Sequence, residues 1–280
     1  MAQDKHFHLQ CGYLELDLSA PVVMGILNIT PDSFYDGGRY QVPEDAIRRA
    51  EQMLEEGATI LDLGAVSTRP GAVQPSVGEE WERLRPVLEE IRGAFPSVLI
   101  SIDTYRAEIA QRAADRGANI INDISGGMLD PMMYATIAKH SLAYVCMHMQ
   151  GTPETMQKNP QYNDVVQDVT TFFAEKTKAL HNSGVENVII DPGFGFGKEV
   201  HHNYQLLKHL DSFSRFEKPV LVGVSRKSMI TKLLDVNKEN ALNGTTAVHM
   251  VALSKGAQIL RVHDVKEAME CIRIHDLSSK

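Results

Sequence analysis

The chain has 280 residues, 43% of them apolar, enough to bury one large core. Its formal net charge of −8 argues against a nucleic-acid surface as its main business, because phosphate-neutralising proteins carry a basic stripe. Three scattered cysteines, Cys11, Cys146 and Cys271, make neither a disulfide framework nor a C-x-x-C metal pair. No stretch approaches the roughly 20 apolar residues of a membrane span. The first residues, MAQDKHFHLQ, lack the apolar run of a secretory signal. The expectation is a soluble cytoplasmic protein.

In chain order, HFHLQCGYLELDL reads as a small hairpin placed to close the bottom of a barrel. Short β-branched runs then recur at residues 22–30, 59–64, 98–104, 119–125, 142–149, 187–193, 219–225 and 257–263. They are near-continuously apolar, as parallel strands covered on both faces should be. Helical stretches separate them: PEDAIRRAEQMLEEGA stopping at Gly57, GEEWERLRPVLEEIRGAF ending near Gly93, YRAEIAQRAADRGA ending at Gly117. Eight such units without a linker predict an α/β fold of one domain over residues 1–280, a (β/α)8 TIM barrel. Its chemistry should sit at the C-terminal ends of the strands.

Those ends are polar. In order they carry Asn28, Asp62, Asp103, Asn122-Asp123, His148, Asp191, the SRKS run and Arg261 with His263. Any one Asn or Asp could be a helix cap, but eight caps would not explain the long Gly/Pro-containing loops after strands 1 and 2. Asp123 follows Asn122 and should point to the opposite face, in a structural role. Cys146, Met132 and Met133 read as core, and His201 and His202 as solvent-facing at the start of a helix. DPGFGFGK, residues 191–198, suggests a phosphate loop but does not spell one. Pro192 stands where a P-loop needs glycine, Glu199 where it needs Ser or Thr, and Val200 where a dinucleotide fingerprint needs a third glycine. Lys198 is left without a role and reads as solvated.

The ordered set GILNITPDSFYDGG, STRPGA, SIDT, INDIS, DPGFGFGK, VGVSRKSMI and RVHDV resembles the dihydropteroate synthases from strand 1 to strand 8. The resemblance implies condensation of a dihydropterin-methyl diphosphate with 4-aminobenzoate, giving dihydropteroate and diphosphate, in folate biosynthesis. It implies a dissociative substitution, a sulfonamide target, a homodimer joined through outer helices, and a magnesium cofactor contacted by Asn28. Asp191 and Asn122 would read the pterin edge, with Lys227 at its carbonyl, Met147 and Phe196 against its rings, and Gly223, Thr68 and Arg261 beside them. Asp103, Lys227 and Arg69 would serve the chemical step. Phe34, Ser67, Thr68, Pro70, Phe196, Lys227 and Ser228 would hold the aminobenzoate. Asn28, Arg69, Arg261 and His263 would hold the diphosphate. Loops 1 and 2 would be lids that exclude water. Ala65 and Val66 depart from the family, which commonly has a small residue followed by Glu or Gln there. A methyltetrahydrofolate:corrinoid methyltransferase would share the pterin-reading carboxylates but would not need STRPG, SRKS or RVH.

Overall fold

The computed structural model describes residues 6–29, 42–66, 74–152, 155–156 and 160–279. Its first element is the expected hairpin, β1 (His8–Cys11) antiparallel to β2 (Leu14–Asp17), with Leu9 opposite Leu16. Gly12 makes the tight turn at φ +63°. Leu9, Cys11, Leu16 and Leu18 are buried against Met24, Ile60, Leu99, Ile120, Ala143, Ile189, Leu221 and Ile259. Those partners begin the barrel strands on their inner side, so the hairpin closes the floor.

Eight parallel strands follow: β3 (Val22–Asn28), β4 (Ile60–Gly64), β5 (Leu99–Asp103), β6 (Ile120–Asp123), β7 (Ala143–Met147), β8 (Val188–Asp191), β9 (Leu221–Val222) and β10 (Ile259–Val262). They run in spatial order β8-β7-β6-β5-β4-β3-β10-β9. A parallel bridge from Ile190 to Val220 joins the two ends of that order into a barrel. The strand expected over 219–225 is paired only at Leu221–Val222 and at that bridge.

The outer layer is helical: α1 (Val42–Glu55), α2 (Val77–Ala94), α3 (Ala107–Ala114), α4 (Met133–His140), α5 (Val165–Asn182), α6 (Val200–Lys208), α7 (Ser228–Leu234), α8 (Leu242–Ser254) and α9 (Val265–Ser278). Ser76 and Glu79 start α2 with a reciprocal capping box, which satisfies two otherwise unpaired backbone donors. Alternate strand residues such as Val23, Leu61, Ile100, Ile121 and Leu260 bury against these helices. The other set faces inward. That alternation delivers Asp62, Ser101, Asp103, Asn122, Asp191 and Arg261 to the interior above the hydrophobic floor.

Candidate functional site

Strand register brings the first group together. Asp62 lies opposite Ser101, and Asp103 opposite Asn122. The Asp62 carboxylate is fully buried and accepts three hydrogen bonds: from Ser101 Oγ at 2.6 Å, Asn122 Nδ2 at 3.1 Å and Arg261 Nε at 2.6 Å. Arg261 Nη2 donates to Asp103 Oδ2 at 2.8 Å. One guanidinium thus bridges two carboxylates in fixed fork geometry. Burial pushes the Asp103 carboxyl up; Arg261 pulls it back, and neighbouring Asp62 adds to the rise. For Arg261, burial opposes the charge, but Asp62 and Asp103 outweigh it and hold the group above its ordinary value.

The loop after β8 forms the second wall. Asp191 Oδ1 accepts from Gly193 N at 2.7 Å. Burial raises the Asp191 carboxyl, with Lys227 the strongest opposing influence. Gly193, Gly195 and Gly197 all have positive φ. A side chain at Gly193 would place its Cβ 1.9 Å from the His148 carbonyl oxygen, so only glycine fits. Lys227 Nζ donates to Phe194 O at 2.7 Å and stands 4.6 Å from the centre of the Phe196 ring. Burial lowers its pKa to about 8. A Cβ built on Gly223 would lie 3.6 Å from Lys227 Nζ and 3.8 Å from Arg261 Cβ, so this glycine leaves open the space between the two cations. Phe196 also packs on a small cluster of Ile124, Met147, Met149 and Met156, which puts Met147 on the same wall.

The third part suits an anion. His263 Nδ1 lies 3.1 Å from Ser225 Oγ, which also accepts from His263 N at 3.2 Å. Burial, reinforced by Arg261, lowers the His263 pKa to about 4. His263 is therefore a neutral hydrogen-bonding group at pH 7, and Arg261 supplies the charge. Arg226 holds a left-handed backbone (φ +55°) between Ser225 and Lys227. Its guanidinium grips Asp264 through two bonds of 2.8 and 2.6 Å, which supports a conformation that a non-glycine residue adopts at a cost. Ser228, exposed, is the first residue of α7. Asn28 is exposed at the end of β3. A Cβ on Gly64 would be 3.9 Å from Asn28 Oδ1 and 3.7 Å from Asp103 Oδ2, so the two side chains meet over Gly64.

Comparison with known proteins places this arrangement. The sequence profile of the pterin binding enzymes matches residues 24–263. The dihydropteroate synthase of Escherichia coli K12 is 48% identical over 261 residues, 92% of either chain. A structure of the Yersinia pestis dihydropteroate synthase with a sulfonamide drug complex superposes with a TM-score of 0.91 at 44% identity, covering 98% of this chain and 99% of that one. The Xanthomonas albilineans dihydropteroate synthase with 4-aminobenzoic acid gives 0.91 at 38% identity, over 97% and 98%. The chain belongs to the pterin binding enzymes.

Within this pterin binding enzyme, Asp103, Asn122 and Arg261 are tied together through hydrogen bonds centred on Asp62 and Arg261, Lys227 lies beside the Phe196 ring, Met147 packs with Phe196, and Asn28, Asp191 and His263 stand at or just past the ends of their strands. Phe34, Ser67, Thr68, Arg69 and Pro70 lie outside the described residues. Of the departing pair in loop 2, Ala65 is buried and Val66 partly exposed. Asp123 is structural, as its outward parity predicts: it accepts from Ser125 N and Oγ, Gly127 N and Tyr144 Oη at 2.7 to 2.9 Å. Cys146 is fully buried, and burial pushes its thiol well above the ordinary value, so it is no nucleophile.

Three expectations need correction. Lys198 is not solvated: it is 4% exposed, and its ammonium lies among acceptors at the foot of the loop after β8. Met132 is 61% exposed while Met133 is fully buried, because only Met133 sits on the inward face of α4. His201 is exposed, but His202 is buried and accepts at Nδ1 from Glu199 N, closing a capping box. Asp62 was visible as one polar strand end without a role. Its parity with Ile60 placed it inside the barrel, and that was the available signal.

Proposed function

We propose that the chain is a dihydropteroate synthase: it joins a dihydropterin-methyl diphosphate to 4-aminobenzoate and releases diphosphate. The observation that carries this reading is the convergence of Asp103, Asn122, Asp191, Lys227 and Arg261 on one cavity at the carboxyl ends of the strands. Asp191 keeps Oδ2 for the N–H groups of the aminopyrimidinone edge. Asn122, with one amide hydrogen given to Asp62, turns its Oδ1 and second N–H to the ring. Lys227, held by Phe194 O, offers a further N–H to the pterin carbonyl. The Phe196 ring and the Met147 cluster supply apolar contact to the flat heterocycle.

The C–O bond between the methylene and the diphosphate breaks first, and its electron pair leaves with the diphosphate. Positive charge develops on the methylene, and Asp103, oriented by Arg261, stabilises it electrostatically. The aniline nitrogen then forms the C–N bond and loses a proton. Arg261 and His263 bind the departing oxygens, with Arg69 placed there by the resemblance. Asn28 presents a hard, neutral oxygen at the rim, a donor suited to magnesium, which takes few protein ligands and completes its shell with water and phosphate oxygens. Such an ion supplies Lewis-acid stabilisation of the leaving group. Thr68 from loop 2 would flank the pterin, and Phe34, Ser67, Thr68 and Pro70, with Ser228, would receive the aminobenzoate, the position sulfonamides would contest.

A second copy of the chain is the expected partner: Leu233, Leu234, Val251, Ile274 and Leu277 are exposed on α7, α8 and α9. Among the described residues no helix is long and apolar enough to cross a membrane; all three cysteines are free and buried, as suits the reducing cytoplasm proposed for this enzyme. The deciding assay supplies purified protein with both substrates and magnesium. Diphosphate and dihydropteroate should appear in equal amounts, with sulfonamide inhibition relieved by added 4-aminobenzoate. No diphosphate release would sink the reading.

A further inference from the structure

We propose that Lys198 is a positioning residue of the pterin site, whose buried ammonium pins the loop after β8 to the end of β7. The proposal rests on the synthase reading. Lys198 Nζ donates to Gly193 O at 2.9 Å and Phe196 O at 3.0 Å, both within the loop. It also meets His148 Nδ1 at 2.9 Å and His148 O at 3.3 Å, at the end of β7. Four acceptors from two segments therefore surround one ammonium. Among the described residues no carboxylate lies within salt-bridge distance of it. Dipoles hold this charge, as carbonyl oxygens hold a bound monovalent cation.

The positive φ of Gly193, Gly195 and Gly197 folds the loop tightly enough for two of its carbonyls to meet at Nζ. Lys227 takes the carbonyl between them, that of Phe194, so two lysines divide the loop's inward carbonyls. Both ends of the clamp bear on pterin contacts. Gly193 N fixes Asp191 Oδ1, and Phe196 lends its ring to the pocket wall. Burial lowers the Lys198 pKa to about 7, against the pull of Asp191, and depresses that of His148 further. His148 is thus a neutral acceptor for this donor. A side chain kept only for stability would gain little from a buried charge, since apolar replacements of similar volume often do as well.

The test uses Lys198→Met, which keeps the stem, and Lys198→Ala, which leaves room for a small cation. Calorimetry with hydroxymethylpterin measures pterin affinity without requiring turnover, and steady-state kinetics separate the two substrates. Pterin affinity should fall by about tenfold or more, while kcat at saturating substrates stays within about threefold. Methylammonium should restore pterin affinity to Lys198→Ala and not to Lys198→Met, whose side chain fills the site. Unchanged pterin affinity would overturn the proposal, as would a fall in kcat as large as the loss of pterin affinity. Failure of both variants to fold would make Lys198 a residue of stability alone and overturn it too. If wild-type protein releases no diphosphate, the synthase reading fails separately, while the calorimetric comparison still decides the role of Lys198.

Discussion

Asp62 touches no position where substrate would sit, yet it holds two residues that do. It is an acceptor for Arg261, Asn122 and Ser101 together. Asp62→Asn can turn its NH2 toward the Ser101 hydroxyl and keep one oxygen for Arg261 and Asn122, but it removes the negative charge that faces the buried guanidinium. Losing one partner of a buried charged pair costs about 3 kcal/mol, so kcat/KM for the pterin substrate should fall about a hundredfold. Steady-state kinetics check this, with thermal unfolding run alongside to separate lost geometry from lost protein. Activity within about threefold of wild type would mean that Asp103 alone can orient Arg261. The carboxylate proposed to face the pterin, Asp191, could be picked out from residue type and strand position. Asp62 could not be given its role that way, because its partner Arg261 is 199 residues away and arrives only when the barrel closes. Lys198 was missed for a related reason: main-chain carbonyls are its main partners, and they carry no sequence signature.

At the scale of elements, the eight strands were legible because burial on both faces demands nearly continuous apolar runs. The shortened β9 was not, since PVLVGVS has the composition of a longer strand and only pairing reveals its extent. The loop after β8 is the most constrained element. An alanine at Gly193 meets both a left-handed backbone, costing ~1–2 kcal/mol, and the His148 carbonyl at 1.9 Å. At Gly195 the added Cβ would meet, among the described residues, a single flexible atom, Lys227 Cδ, at 3.3 Å. Gly193→Ala should therefore lose far more pterin affinity and thermal stability than Gly195→Ala, as read by calorimetry and thermal melts on the pair. Equal losses would mean that backbone conformation, and not the contact with β7, sets the tolerance of this loop. The SRKS turn follows a different logic: Arg226 is a non-glycine residue in a left-handed conformation, held by Asp264 from beyond β10.

For the whole molecule, Leu233, Leu234, Val251, Ile274 and Leu277 are left exposed on α7, α8 and α9, and the proposed dimer would cover them. Val251→Glu puts a charge on the middle one of these helices and should shift sedimentation from dimer to monomer at micromolar concentration, with the cavity unchanged. A wild-type chain that sediments as a monomer would refute the partner assignment. The fold class and the polar strand ends were readable from residues alone, because a barrel alternates apolar strands with helices and collects its polar groups where the strands finish. The balance of charge inside the barrel was not. Asp62 and Asp103 share the Arg261 guanidinium, while Lys227 and Lys198 are held by main-chain carbonyls, an arrangement that appears only when these groups are buried together.

The hairpin of β1 and β2 has a consequence for traffic. With Leu9, Cys11, Leu16 and Leu18 sealing one end of the barrel, Asp191 is open to approach only from the end where the strands finish, so far as the described residues go. If the pterin binds at Asp191 and 4-aminobenzoate above it, as proposed, the pterin should enter first and the joined product should leave through the same end. Product inhibition patterns in steady-state kinetics read that order.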